Sequence, residues 1–571
     1  MKQFFYLPLL LFLLTCKPPQ RLAIQDPITA PIPMCAPPTD DRNWYQSDEV
    51  APLFEGLDAI DFPITTNKEL VQRYFEQGMV LAHGFNHAEA ARSFYYAIKL
   101  DSTCAMAHWG YAYVLGPNYN SGMKAKNYPL AHEAIQKAIQ FAEELGTDKE
   151  KALTKALAKR YVAEAVEDRK SLDEDYAKAM EELFKTYPKD ANIGTLYVES
   201  LMNLHPWNLY DKDGNPKEWT PKILTALDEV FAIDPKHPGA HHFHIHAVEA
   251  SKTPEKGLIS AAIFDEDLVP GAGHLVHMPS HIYIRTGDYH KGTLANIRAV
   301  QADSSYVTAC RAQGAYPLIY YPHNWHFLSA TATLSGNSEW GIKAAEFVSK
   351  HTKNGLMPSK DWGILQHFYS IPYYIYVKFG KWDDILNKEL EAPSLKYPRA
   401  VQHYARGMAY LGKRKIKDAQ LELKKLKQLV IDEEIQQIKM GGNSIESILQ
   451  IAEKVLEGEL EASKGNYESS IRLLKEGVVL EDALSYIEPP DWFFSVRHHL
   501  GAVQIEAGQH EVALSTYLED LDKLPKNGWA LHGMKQAYAA MGKGIEQAAT
   551  EEQLKSIWGE ADIKITSSRI K

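Results

Sequence analysis

Residues 84–101 read GFNHAEAARSFYYAIKLD. A glycine and an aromatic residue follow an apolar helical stretch. A second helix then carries Ala90 and, four residues on, Phe94. Small residues at such points let two antiparallel helices approach closely, and the aromatic ring fills the space towards the next helix pair. The pattern recurs. Gly287-Asp288-Tyr289 precedes Ala295, and Gly465-Asn466-Tyr467 precedes a helix with Ile471 and Leu474. Gly380-Lys381-Trp382 and Gly508-Gln509-His510 occupy equivalent turns. No run of alternating strands bounded by hairpin turns interrupts this helix-after-helix reading.

Recurrence of this kind is the signature of the tetratricopeptide repeat (TPR), whose ideal period is about 34 residues. The sequence therefore predicts an all-α, TPR-like α-solenoid of stacked helical hairpins with irregular insertions. Turn glycines are assigned at 287, 336, 380, 412, 465 and 508. Their uneven spacing implies insertions, two of which are His205–Trp219 (HPWNLYDKDGNPKEW) and Gly314–Tyr321. In solenoids such insertions gather on one face and build binding surfaces. The expected layout is a signal segment over 1–16, a flexible Pro-rich tether over 17–60, an N-terminal solenoid over 61–335 and a C-terminal solenoid over 336–571. The two halves are expected to bend towards each other across a groove.

The chain has 571 residues, 45% hydrophobic and 24% charged, which is globular composition. Its net charge of −11 speaks against a dedicated nucleic-acid binder, which needs a basic face. Four cysteines cannot form a disulfide scaffold in a chain of this length. Residues 1–16, MKQFFYLPLLLFLLTC, place a lysine before an apolar run from Phe4 to Leu14. A run that short does not cross a ~30 Å hydrocarbon core and reads as an export signal. Its end, Leu-Leu-Thr-Cys, resembles a bacterial lipobox with Cys16 as the lipidated residue. This predicts a membrane-attached lipoprotein of the bacterial cell envelope, periplasmic or outer-membrane. The stretches KPPQ and DPITAPIPMCAPP supply the tether.

Histidine is concentrated between residues 237 and 281, where His237, His241, His242, His244, His246, His274, His277 and His281 fall. If HPGAHHFHIHAVEAS is a helix starting at Pro238, His242, His246 and Glu249 share a 60° arc at about 100° per residue. His244 points to the opposite side. His274, His277 and His281 share a similar arc if their segment is helical, although Pro279 is expected to push Met278 out of helical geometry. His242 to His277 and His246 to His281 are each 35 residues apart, close to one repeat. These residues are the predicted metal ligands: His242, His246, Glu249, His274, His277 and His281. Imidazole with one carboxylate suits Zn, Cu or Fe. Glu249 is alternatively a general base. His323, Asn324 and His326 follow one repeat later and, with Arg497, are predicted to bind a ligand. Arg497 has an alternative role as the partner of Glu488. Trp207, Tyr320, Tyr321 and Trp325 flank the insertions as candidate groove walls.

The phrases FNHAEAARSFYYAIKLD, AMAHWGYAYVLGPNYN, HPGAHHFHIHAVEAS, PGAGHLVHMPSHIYIRTGDY, YYPHNWHFL, EPPDWFFSVRHHLGA and NGWAL resemble a family of bacterial TPR proteins of unassigned activity. The resemblance covers nearly all the chain after about residue 60. It implies the same fold and the same histidine positions, with Asn324 among them, and supplies no reaction. Three functions remain open: a binding or assembly protein whose groove holds a transition metal or small ligand, a metal-dependent hydrolase or oxidoreductase using the same histidines, and a protein–protein scaffold with a partner peptide in its concave groove.

Overall fold

In the computed structural model, the described residues are 42–310, 316–352, 355–390 and 392–571. They form a succession of helix pairs with no extended strand among them; two isolated bridges, Asn118 with Ser121 and Tyr210 with Pro216, close local turns. The all-α solenoid reading is therefore correct. The first pair is Glu69–His83 with His87–Leu100, and the last is Gly528–Ala540 with Gly544–Ile557. The signal segment, Cys16 and Cys35 lie outside the described residues. Among the described residues, no helix is long and apolar enough to cross a membrane.

The small-residue and aromatic pattern acts as the sequence suggests. Phe94 inserts its ring between Gly78, on the facing helix of its own pair, and Gly110, on the next pair; a Cβ at either glycine would overlap the ring. Tyr517 lies in the same way between Gly501 and Gly533. Both rings are fully buried.

The turns repeat a common geometry. Gly336, Gly380, Gly465, Gly508 and Gly542 each take φ between +65 and +80°, two residues before the second helix. The next residue donates its N–H back to the last turn of the first helix, as Asn337 does to the Ala332 carbonyl at 2.8 Å. This left-handed closure is the one glycine adopts without steric cost. Gly412 departs from expectation: it ends the helix Lys396–Gly412, and the left-handed residue is Arg414, with φ +58°. Phe85 takes the same position in the first turn, with φ +56°. Asn86 caps the following helix by accepting from the Glu89 N–H.

Two further expectations change. Residues from Ala51 belong to the folded body rather than to a tether ending at 60. Ala51, Leu57 and Ile60 are buried, and Tyr74 Oη donates to the Ala51 carbonyl at 2.6 Å. The halves also do more than bend towards each other; they touch. Tyr289 Oη donates to the Pro525 carbonyl at 2.9 Å, and Trp529 Nε1 donates to the Thr333 carbonyl at 3.1 Å. The first pair closes onto the middle of the chain in the same way, because Gly239 leaves room for the ring of His83.

Candidate metal centre

The histidine stripe forms as a helix, Pro238–Val248, with Pro238 at its first turn, where the missing N–H costs nothing. The partner segment is helical throughout. It runs Gly273–His277 and then Pro279–Thr286, joined by Met278 with φ −53° and ψ −34°. The expected loss of helical geometry at Met278 does not occur. The chain instead tightens, with Met278 N–H donating to Leu275 and His281 N–H to the Met278 carbonyl. Pro279 thus opens a new helix, and its missing donor is not needed there.

His242, His246, His274, His277 and His281 are all buried and line one chamber. Ring centroids are 4.8 Å apart for His242–His246, 5.1 Å for His242–His274, 5.4 Å for His246–His281 and 4.8 Å for His277–His281. The 35-residue spacing pairs His246 with His281, whereas His242 meets His274 rather than His277. His323 joins from the helix Tyr321–Leu334, 4.9 Å from His277 and 5.8 Å from His281.

The outer hydrogen bonds decide which nitrogens face inward. His242 Nδ1 lies 2.5 Å from the His83 carbonyl oxygen, which only accepts, so Nδ1 carries the proton. His246 Nδ1 and His281 Nδ1 lie 2.7 and 2.6 Å from the two oxygens of Glu249. His277 Nδ1 lies 3.2 Å from Asn296 Oδ1, and the Asn296 amide is oriented by its own Nδ2–H bond to the Gly292 carbonyl. Each of these imidazoles, when neutral, has its single N–H outside and its Nε2 lone pair inside. The Nε2 atoms of His242 and His246 have no hydrogen-bond partner, and neither nitrogen of His274 has one. The Nε2 atoms of His277 and His281 face each other at 3.1 Å.

Burial favours the neutral form of His242, His274, His277 and His323. It drives His242, His274 and His277 well below the usual imidazole value and His323 to about 3. Burial also lowers His281, against the opposing pull of Glu249. For Glu249 burial resists ionisation, but His281 and His246 outweigh it and hold the carboxyl well below its ordinary range. Both of its oxygens are engaged, and Tyr486 Oη lies 3.3 Å from one of them. Its carboxylate orients two imidazoles and is a poor general base, since such a group must sit near the operating pH.

Aromatic residues wall the chamber. Phe85 lies 4.5 Å from His242 and 5.8 Å from His274. Tyr320 lies 5.0 Å from His274. Trp207, on the His205–Trp219 loop, covers His246 at 5.7 Å, stacks on Tyr119 and donates Nε1–H to Asn120. Tyr321 and Trp325 instead pack against Phe347.

The predicted ligand-binding set does not assemble. Of its members, only His323 enters the chamber. Asn324 donates to Asp303 at 2.7 Å, and Asp303 also receives the Tyr316 hydroxyl behind His274. His326 faces His367 and Phe493. Arg497 forms a two-pronged pair with Asp482 at 2.9 and 2.7 Å, not with Glu488. His244 and His241 turn away to share Ser260 Oγ. Sequence reading missed the roles of the His83 carbonyl and of Asn296, which reach the histidines only through tertiary packing.

Three sets of ligand atoms lie within 4.8 Å of one another: His242, His246 and His274; His277, His281 and His323; and His246, Glu249 and His281. Fold and site together define a TPR-like solenoid with a largely buried cluster of histidines. No protein-family model matches the chain, and no curated protein matches it. Among solved structures, a human IFIT1 dimer with m7Gppp-AAAA is 12% identical, covers 89% of this chain and 92% of its own, with a TM-score of 0.30. The P58(IPK) TPR domain is 10% identical over 83% of this chain and 99% of its own, with a TM-score of 0.22. Yeast Tom70 is 11% identical over 86% of this chain and 93% of its own, with a TM-score of 0.26. Superpositions this loose carry no statement about the present chain.

Proposed function

We propose that this chain is a binding or assembly protein whose histidine chamber holds a transition metal. The observation that carries the reading is the facing pair His277 Nε2 and His281 Nε2 at 3.1 Å, with the proton of each neutral ring engaged on its Nδ1 side. Two lone pairs at that distance repel unless a proton or a metal ion lies between them. Two imidazole nitrogens on a tetrahedral ion with ~2.0–2.1 Å bonds stand ~3.3–3.4 Å apart. Imidazole-rich sites without thiolate suit Zn, Cu or Fe. A protein or peptide partner in the concave groove is part of the same reading. So is attachment to the bacterial envelope through a lipid on Cys16, which rests on the sequence of residues 1–16.

Elemental analysis of purified protein, as isolated and after loading, tests the metal reading against a His246→Ala/His281→Ala variant. Near-stoichiometric metal that is lost in the variant supports it. No metal after exposure to Zn, Cu and Fe overturns it. Intact mass of the membrane fraction tests the anchor: a diacylglycerol adduct at a new N-terminal cysteine is expected, and a full-length unmodified chain contradicts it.

A further inference from the structure

The six imidazoles of the chamber are more than one ion of ordinary coordination uses. Their closely spaced nitrogens divide three and three: His242, His246 and His274 on one side, and His277, His281 and His323 on the other. The two triads share no residue. They are adjacent, with His274 5.1 Å from His277 and His246 5.4 Å from His281 between ring centroids.

Glu249 ties them together. One oxygen takes Nδ1 of His246, from the first triad, and the other takes Nδ1 of His281, from the second. The mixed set of His246, Glu249 and His281 is therefore not a third metal position. Binding an ion there would need the two Nδ1 lone pairs, and those nitrogens already spend their protons on the carboxylate. It would also leave the Nε2 of His246 buried without a partner. The same carboxylate thus fixes the tautomer of one ligand in each triad, an outer-shell role common for metal-bound histidine. The His83 carbonyl and Asn296 do this for His242 and His277.

We infer that the chamber is a two-metal centre, with one ion held by His242, His246 and His274, a second by His277, His281 and His323, and Glu249 bridging the two ligand sets from behind. The inference rests on the metal reading above. Three protein ligands leave each ion an open position, the arrangement of sites that bind a further small ligand rather than closed structural sites. His323 is the one ligand that is not fully enclosed, so the open positions are reached from its side.

The test uses full-length protein stripped with chelator and reloaded separately with Zn2+ and Cu2+. Two ions per chain are expected. With Cu2+, the paramagnetic resonance spectrum should show a half-field signal or an integrated spin well below the copper content, both marks of a close pair. His242→Gln and His323→Gln should each reduce the count to about one, with the circular dichroism spectrum unchanged. One ion per wild-type chain overturns the two-metal inference and leaves the metal reading standing. Two ions with full spin and no half-field signal also overturn it, as does a His323→Gln protein that keeps two. No bound ion overturns both readings.

Discussion

Phe85 presses its ring against His242, with centroids 4.5 Å apart, from a left-handed backbone position that six later turns give to glycine. A bulky residue at φ +56° is strained by roughly 1–2 kcal/mol. The ring that the strain positions forms part of the chamber wall.

Removing that ring separates the two effects. Phe85→Gly should melt higher than Phe85→Ala, by the equivalent of about 1 kcal/mol, because only glycine relieves the backbone. Thermal unfolding of both variants checks this. An alanine variant as stable as the glycine variant would remove the strain argument.

The hairpin packing gives a second expectation. Phe94 is fully buried between Gly78 and Gly110. Phe94→Ala should cost about 3–5 kcal/mol, the range for a truncated core aromatic. Gly110→Val should also destabilise, since its side chain has no space beside the ring. Urea unfolding measures both, and a loss under about 1 kcal/mol for Phe94→Ala would contradict the packing account.

The fold was legible because its signals are local. Phe94 with its glycines and the turn at Gly508 are written within a few dozen residues. The turn at Arg414 was not legible, because the sequence offers Gly412 two residues earlier and only the helix end shows which residue reverses. The site was half legible. Helical phase selects His242, His246 and Glu249 and discards His244. It cannot show that His83, 159 residues away, supplies the carbonyl that orients His242. It also could not tell His323, which enters the chamber, from His326, three residues on, which faces His367.

Stability should form a plateau between about pH 4 and 6.5 in metal-free protein and fall on either side of it. Burial holds His237 and His499 at about 3, and His87 and His367 at about 4. The unfolded chain protonates such histidines near pH 6.5, so their contribution is present above that value and is lost as pH falls towards 4 and 3. Each contributes a slope of at most ~1.4 kcal/mol per pH. Burial raises Glu199 and Asp303 to about 7, and Glu481 and Glu488 to about 8. Their contribution is present below the ordinary carboxyl range near pH 4 and is lost as pH rises from there to those values, so between about pH 4 and 6.5 it opposes the gain from the histidines. Melting temperature measured from pH 2.5 to 9 should therefore fall below about pH 4 and above about pH 6.5. A curve that rises steadily to either end would contradict these burials.

Glu249→Gln should weaken metal binding about 10–100-fold, the usual effect of losing an outer-shell partner, without abolishing it. The amide holds at most one imidazole as the carboxylate does. Competition with a chromophoric chelator reads the change. An unchanged affinity would show that Glu249 does not orient the ligands, and complete loss of metal would make it a direct ligand.

The most direct measurement is anomalous diffraction at the absorption edge of the loaded metal. The account predicts density inside the chamber, within ~2.0–2.2 Å of histidine Nε2 atoms, with Glu249 outside the coordination shell. A metal-loaded crystal with no anomalous density among His242, His246, His274, His277, His281 and His323 would contradict it.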